Sequence, residues 1–127
     1  MQLQTHLAID ESLSGRVVHL REGYAQVVLP THRAMLADRR GLIHGGFLFG
    51  AADYAAMAAV NDPNVVLGAA EIRFLAPVRK GETVIFEAEV QSRKGKKRIV
   101  KVQGKVEGKK VFQGNFTAFV PDRHILE

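Results

Sequence analysis

The 127-residue chain contains neither cysteine nor tryptophan. Without cysteine there can be no disulfide, no cysteine-ligated zinc and no thiol nucleophile. Histidines are few and scattered (His6, His19, His32, His44 and His124), and none stands four residues from another as a helical metal pair requires. No metal or other cofactor is therefore expected. There is no G-x-S-x-G nucleophile elbow and no G-x-x-x-x-G-K-[ST] phosphate loop. Low-complexity stretches, internal repeats and long linkers are also missing. The longest apolar run, Phe47 to Val60, is too short to span a bilayer and carries Asp53. The opening Met1-Gln2-Leu3-Gln4-Thr5-His6 lacks the basic start and apolar core of a secretory signal. These absences lead us to expect a soluble, cytoplasmic protein with no membrane partner.

Hydrophobic residues make up 46% of the chain, enough for a core, and the length suits one domain over residues 1–127. Acidic residues are in deficit, and the imbalance is local. Residues 79–110 hold eleven of the eighteen Lys and Arg but only four of the thirteen acids. An anionic partner is one reading of that half, and solvated strand faces and turns are the plainer one. The run Arg93-Lys94-Gly95-Lys96-Lys97-Arg98 reads first as a soluble hairpin tip and second as a phosphate contact. No aromatics are interleaved for base stacking, so a nucleic-acid partner is not expected.

Along the chain, Arg16–Leu20 and Tyr24–Leu29 read as short strands, and residues 30–43 as irregular. Gly45–Val60 is alanine-rich, apolar on nearly every side and stopped by Asn61-Asp62-Pro63, the pattern of one buried helix. The period then changes to two. Val65–Ala76 reads as a strand ended by Pro77. Thr83–Gln91 alternates, with Val84, Phe86, Ala88 and Val90 on one face. Arg93–Lys97 reads as a turn. Val100, Val102, Gly104 and Val106 alternate again, and Val111–Val120 returns with Phe112, Phe116 and Ala118 inward. One helix and a run of antiparallel strands predict an α+β fold, a sheet curled around the helix.

The most informative stretch is His44-Gly45-Gly46, with Asp53 nine residues after the histidine. A glycine-rich helix start presents free backbone N–H groups, suited to an anion or a developing oxyanion. Asp53 is the one charged side chain from Phe47 to Val60. A carboxylate in such surroundings is costly to keep ionised unless something pairs with it or uses it. A base and an oxyanion site on one element point to hydrolytic acyl transfer. The plainer readings are an interface carboxylate with a partner, a loop histidine bonded to backbone, and glycines that serve a tight turn or close packing.

With these elements in place, residues 15–120 resemble the hot-dog-fold acyl-CoA thioesterases, in the branch of the small phenylacetate-pathway and human enzymes. Gly41-Leu42-Ile43-His44-Gly45-Gly46 with Asp53, and Glu71-Ile72-Arg73-Phe74-Leu75-Ala76-Pro77 before Val78-Arg79-Lys80-Gly81-Glu82, carry the resemblance. It implies Asp53 as general base or nucleophile, the Gly45 N–H as oxyanion donor, and His44 as a group that orients the loop or polarises the thioester. It implies substrate contacts at Gly46, Tyr54, Gly68 and Ala69, and contacts to the phosphates of coenzyme A at Arg93, Lys94, Lys96 and Lys97. Coenzyme A enters as part of the substrate. The family's fold pairs two sheets in a homodimer, which can pair again as a dimer of dimers. The alanines Ala51, Ala55 and Ala58 would leave space for an acyl chain. Two departures stand out: Ala37 and Asp38 occupy the place of an asparagine found in many relatives, and Leu67-Gly68-Ala69-Ala70 holds no serine or threonine. Val66–Val120 also resembles the ligand domain of malonyl-CoA-sensing regulators. Those have asparagine at the position of Asp53, lack the paired glycines and carry an N-terminal helix-turn-helix, for which there is no room before residue 15. A non-catalytic acyl-CoA-binding module is thus the alternative expectation.

Overall fold

The computed structural model describes all 127 residues. Six strands form one antiparallel sheet: β1 (Arg16–Arg21), β2 (Tyr24–Pro30), β3 (Val66–Phe74), β4 (Thr83–Lys94), β5 (Lys97–Val106) and β6 (Lys109–Phe119). Their spatial order is β1-β2-β4-β5-β6-β3, which leaves β1 and β3 at the edges. A short helix α1 (Glu11–Ser14) precedes the sheet, and the long helix α2 (Gly45–Val60) packs on β2, β4 and β5. The expected hot-dog arrangement is what the chain adopts.

Alternation explains the sheet. Val84, Phe86 and Ala88 on β4, Val100 and Val102 on β5, and Phe112, Phe116 and Ala118 on β6 are fully buried under α2. The rings interlock, with Phe86 edge-on to Phe112 at 5.7 Å and Phe112 against Phe116 at 6.4 Å. Gly104 makes room for them, since a Cβ there would stand 2.7 Å from the Phe86 ring and 3.2 Å from Phe112 Cβ. Between β5 and β6, Glu107 and Gly108 both have positive φ (48° and 81°), which suits a two-residue turn matched to strand twist.

The charged run at residues 93–98 is mostly strand rather than turn. β4 continues through Lys94, β5 begins at Lys97, and only Gly95-Lys96 turns. Beyond Val90 the end of β4 lies outside the core, while Lys97–Ile99 of β5 stay paired with Thr117–Phe119 of β6. Residues 91–94 of β4 are exposed on both faces, and the alternation that marks a strand disappears.

Helix α2 starts at His44, the N-cap, whose side chain makes no capping hydrogen bond. It ends at Asn61 in the left-handed conformation (φ 53°), whose N–H donates to the Met57 carbonyl at 2.8 Å. Asn61 also ties down the N-terminal segment. Its Oδ1 accepts from the Gln4 N–H at 2.7 Å, and its Nδ2 donates to the Gln2 carbonyl at 2.9 Å. The segment 30–43 is irregular apart from a 3-10 turn at Arg33–Met35 and single bridges Leu36–Ile43 and Leu42–Arg79. It delivers His44 and the glycines to the helix start through hydrogen bonds from the His44 N–H to the Met35 carbonyl and from the Ile43 N–H to the Val78 carbonyl, both 2.9 Å.

Candidate active site

Helix α2 is buried unevenly. Past its first turn, only Phe49, Gly50, Asp53 and Val60 keep partial exposure. At 100° per residue these four and Gly46 share one partly open stripe, interrupted by the fully buried Met57, with Phe49 at its edge stacked on Phe116 of the sheet at 5.6 Å. Ala51, Ala55 and Ala58 are fully buried on the opposite side. The alanines therefore bring the helix close to the strands and leave no room for an acyl chain, contrary to the expectation that they line a space.

On the open stripe, Asp53 Oδ1 is shielded from solvent and has no hydrogen-bond partner in the chain. Burial raises its pKa from 3.8 to about 6, with no neighbouring charge to offset the desolvation. The carboxyl is thus uncompensated within the chain and takes up its proton as pH falls through about 6.

At the helix start, the N–H groups of Gly45 and Gly46 have no acceptor, whereas the Phe47 N–H donates to the His44 carbonyl at 3.1 Å. The free donors sit at the positive end of the helix. The rim of the Phe74 ring covers Gly45, where a Cβ would meet Cε1 at 3.1 Å. The His44 ring folds over Gly46, 3.0 Å from where a Cβ would stand, and lies edge-on to Phe47 at 6.0 Å. Beside Gly45 opens an apolar cleft of about 320 Å³ lined by Leu42, Leu48, Phe74, Leu75 and Pro77. A larger cavity of about 610 Å³ lies on the outer face of the sheet among Glu71, Arg73, Lys101 and Gln113, and touches neither Asp53 nor the glycines.

Tyr54 is next to Asp53 in sequence but a quarter-turn around the helix. It is 3% exposed, and its ring stacks on His6 at 6.1 Å under the N-terminal segment. Gly68 and Ala69 lie on the edge strand β3, where the register shifts; the Phe119 ring crosses Gly68 so closely that a Cβ there would collide with it. Arg93 lines a cleft at the far end of α2 with Val60 and Asn61, and Lys96 pairs with Asp122 at 3.1 Å. Within one chain the structure brings His44, Gly45 and Gly46 together. Asp53 is eight residues up the helix from Gly45, about 12 Å along the axis.

Sequence reasoning passed over Phe74, the cleft behind it and the N-terminal segment that covers Tyr54. Phe74 carried a signal: it is the last large aromatic residue before a proline that ends a strand.

Residues 40–112 match the family model described as the thioesterase superfamily. The chain belongs to that superfamily. A solved structure of an uncharacterized protein from Pyrococcus horikoshii is 44% identical and superposes with a TM-score of 0.98, covering 100% of this chain and 98% of that one. A structure of the phenylacetic acid degradation protein PaaI from Thermus thermophilus, solved as a mutant, is 29% identical, with a TM-score of 0.80 over 87% of this chain and 96% of that one. This supports the phenylacetate-pathway branch. Among curated relatives, a methylthioribose-1-phosphate isomerase of Aquifex aeolicus is 51% identical over 96% of this chain but only 27% of its own length. The transcription factor FapR of Halalkalibacterium halodurans is 32% identical over 86% of this chain and 59% of its own length. The chain thus spans about a quarter and somewhat over half of these two proteins. No helix is long and apolar enough to cross a membrane.

Proposed function

We propose that the protein hydrolyses the thioester of an acyl-coenzyme A to the free acid and coenzyme A, acting as a homodimer that can pair again into a dimer of dimers. The observation that carries this reading is the shielded, unpartnered Asp53 carboxyl on the open stripe of α2. A buried acid without a hydrogen bond is a liability in a merely structural role and an asset in a catalytic one.

The site needs two copies. A thioester carbonyl held by the Gly45 N–H lies about 12 Å from the Asp53 of the same helix, beyond the reach of one water. A second α2 laid antiparallel on the open stripe would bring its Asp53 beside that carbonyl. Edge strand β3, unpaired on one side, is a natural second seam between the copies.

In this arrangement Asp53 takes a proton from water as the water attacks the carbonyl carbon. The Gly45 N–H, aided by the helix dipole, stabilises the oxyanion, a contribution worth about two to three orders of magnitude in rate. The intermediate collapses with loss of the coenzyme A thiolate, which needs little help from an acid. Direct attack by Asp53, followed by hydrolysis of the mixed anhydride, uses the same atoms. His44 orients the loop over Gly46.

The competing reading is a ligand sensor, favoured by the similarity to a transcription factor. Release of free thiol from short, medium, aromatic and hydroxylated acyl-coenzyme A substrates separates the two, with Asp53→Asn run in parallel. Turnover that is lost in Asp53→Asn while binding persists supports hydrolysis. Binding without turnover by the unsubstituted protein supports the sensor. Turnover that survives the substitution removes Asp53 from the reaction.

A further inference from the structure

The two loops beside the apolar cleft at Gly45 carry cations that the chemistry at Asp53 leaves unused. Two loops meet there. Leu42 bridges Arg79, the Lys80 N–H donates to the Gly41 carbonyl at 2.8 Å, and the Ile43 N–H to the Val78 carbonyl at 2.9 Å. This short ladder sets Arg39 and Arg40 on one loop beside Arg79 and Lys80 on the other. All four are exposed, and none of their side chains has a hydrogen bond or ion pair in the chain.

The two acids of these loops are engaged otherwise. Asp38 accepts from the backbone N–H groups of Arg40 (2.8 Å) and Leu42 (3.2 Å), and Glu82 from that of Arg79 (2.7 Å). They shape the loops and leave the guanidinium and ammonium groups free. At the basic tip at the other end of the molecule Arg93, Lys94 and Lys97 are also free, but Lys96 is paired with Asp122, Arg98 donates to the Gly95 and Lys97 carbonyls at 2.7 and 3.0 Å, and the nearby cleft does not reach the helix start.

The helix start thus carries a free N–H pair, a cleft beside it, and four unpaired cations on the two loops that join at Leu42, a residue that lines the cleft. A coenzyme A thioester carries a carbonyl, a slender pantetheine arm with two amides and a hydroxyl, and then its phosphates. We infer that Arg39, Arg40, Arg79 and Lys80 bind the phosphates of coenzyme A at the mouth of the Leu42–Phe74 cleft, in place of the ribbon tip at residues 93–97. The inference rests on the acyl-coenzyme A reading above for its ligand, but it requires no turnover.

The test is calorimetric binding of coenzyme A, 3′-dephospho-coenzyme A and pantetheine to the intact protein, to Arg79→Gln/Lys80→Gln, to Arg39→Gln/Arg40→Gln, and to the tip variant Lys96→Gln/Lys97→Gln. Each exposed cation is worth a fraction of a kcal/mol to about 1 kcal/mol, so each rim pair should weaken coenzyme A binding by roughly three- to thirtyfold. Pantetheine binding should stay as it is, coenzyme A binding to the intact protein should fall with added salt, and the tip variant should bind coenzyme A normally. Circular dichroism melting confirms that the variants are folded. The inference is overturned if both rim variants bind coenzyme A normally, if the loss falls on the tip variant, or if pantetheine binding drops by the same factor. Binding through the rim in a protein that hydrolyses no thioester would leave this inference standing and sink the hydrolase reading. Hydrolysis with rim variants of unchanged KM and coenzyme A affinity would do the reverse.

Discussion

Replacing Asp53 by asparagine should stabilise the fold at neutral pH while abolishing hydrolysis. Burial moves the Asp53 pKa from 3.8 to about 6. A folded-state pKa above the unfolded value means that the folded chain holds the proton more tightly. The associated stability is present in full below the unfolded pKa and is lost as pH rises through about 6. At 1.36 kcal/mol per pKa unit, the ionised carboxylate costs the native state at most about 3 kcal/mol at pH 7.5. Because the residue retains some exposure, about 2 kcal/mol is the better expectation. Asparagine is nearly the same shape and carries no charge, so it escapes this cost. The melting temperature of Asp53→Asn should exceed that of the unsubstituted protein by roughly 5–15 °C at pH 7.5. The gap should narrow progressively below pH 6 and close near pH 4, where aspartic acid is largely protonated in the folded state and half protonated in the unfolded one. Thermal unfolding followed by circular dichroism across pH 4–8 reads the gap directly. A gap of equal size at pH 4 and pH 7.5, or an unsubstituted protein that is the more stable at pH 7.5, would refute the reasoning. Either result would mean that the carboxylate is paired and not isolated.

The same titration should govern the reaction, with kcat/KM rising through an apparent pKa of about 6 and reaching a plateau above pH 7; a flat profile from pH 5 to 8 contradicts a carboxylate base. Gly104→Ala should destabilise the protein by about 1–3 kcal/mol in chemical denaturation, because its Cβ would stand 2.7 Å from the buried Phe86 ring, and additional truncation of Phe86 to leucine should recover part of the loss. Phe74→Ala should cost only about 1 kcal/mol, since the ring is 52% exposed and loses one edge-on contact with Phe112. It should also widen the cleft beside Gly45 and loosen its hold on the coenzyme A arm, raising KM for short and long acyl-coenzyme A substrates alike by about threefold or more in a substrate panel.

The strands and the helix could be read from the sequence because each buries one face regularly. Val84, Phe86 and Ala88, then Val100, Val102 and Gly104, stand at alternate positions and all face the helix. Reading failed where burial stops being periodic. Residues 91–94 at the end of β4 lie in water on both faces, so their polar and charged side chains carried no strand pattern. The N-terminal residues are held by single long-range contacts, with Asn61 binding Gln2 and Gln4 and His6 stacking on Tyr54, and such pairs leave no mark on local sequence. Helix α2 is apolar all round, so its sequence located Asp53 on the helix but did not distinguish the Asp53 stripe from the Tyr54 side. The helix start at His44-Gly45-Gly46 was easier to read. Adjacent glycines there are costly, and they admit the Phe74 and His44 rings to within 3.1 and 3.0 Å of where their Cβ atoms would stand.

That cost extends to a glycine the chemistry does not use. Gly50 stands on the open stripe between Phe49 and Asp53, and a Cβ at Gly50 would meet nothing within 4 Å in the single chain. In a helix interior, glycine is less favourable than alanine by about 1 kcal/mol. If the chain worked alone, Gly50→Ala would be a free gain in stability. If a second helix crosses on this stripe, the missing side chain is what lets the backbones approach, and the same methyl group would push the two copies apart. The Gly50→Ala protein should therefore dissociate more readily in sedimentation equilibrium, by about tenfold or more in dimer dissociation constant, and lose activity at low protein concentration. Some of that activity should return as concentration is raised, because the substitution leaves Asp53 and the Gly45 N–H in place. A Gly50→Ala protein that melts higher, stays paired and hydrolyses normally would show that the helices do not cross there. The two halves of the site, about 12 Å apart on one helix, would then have to be joined by some other contact.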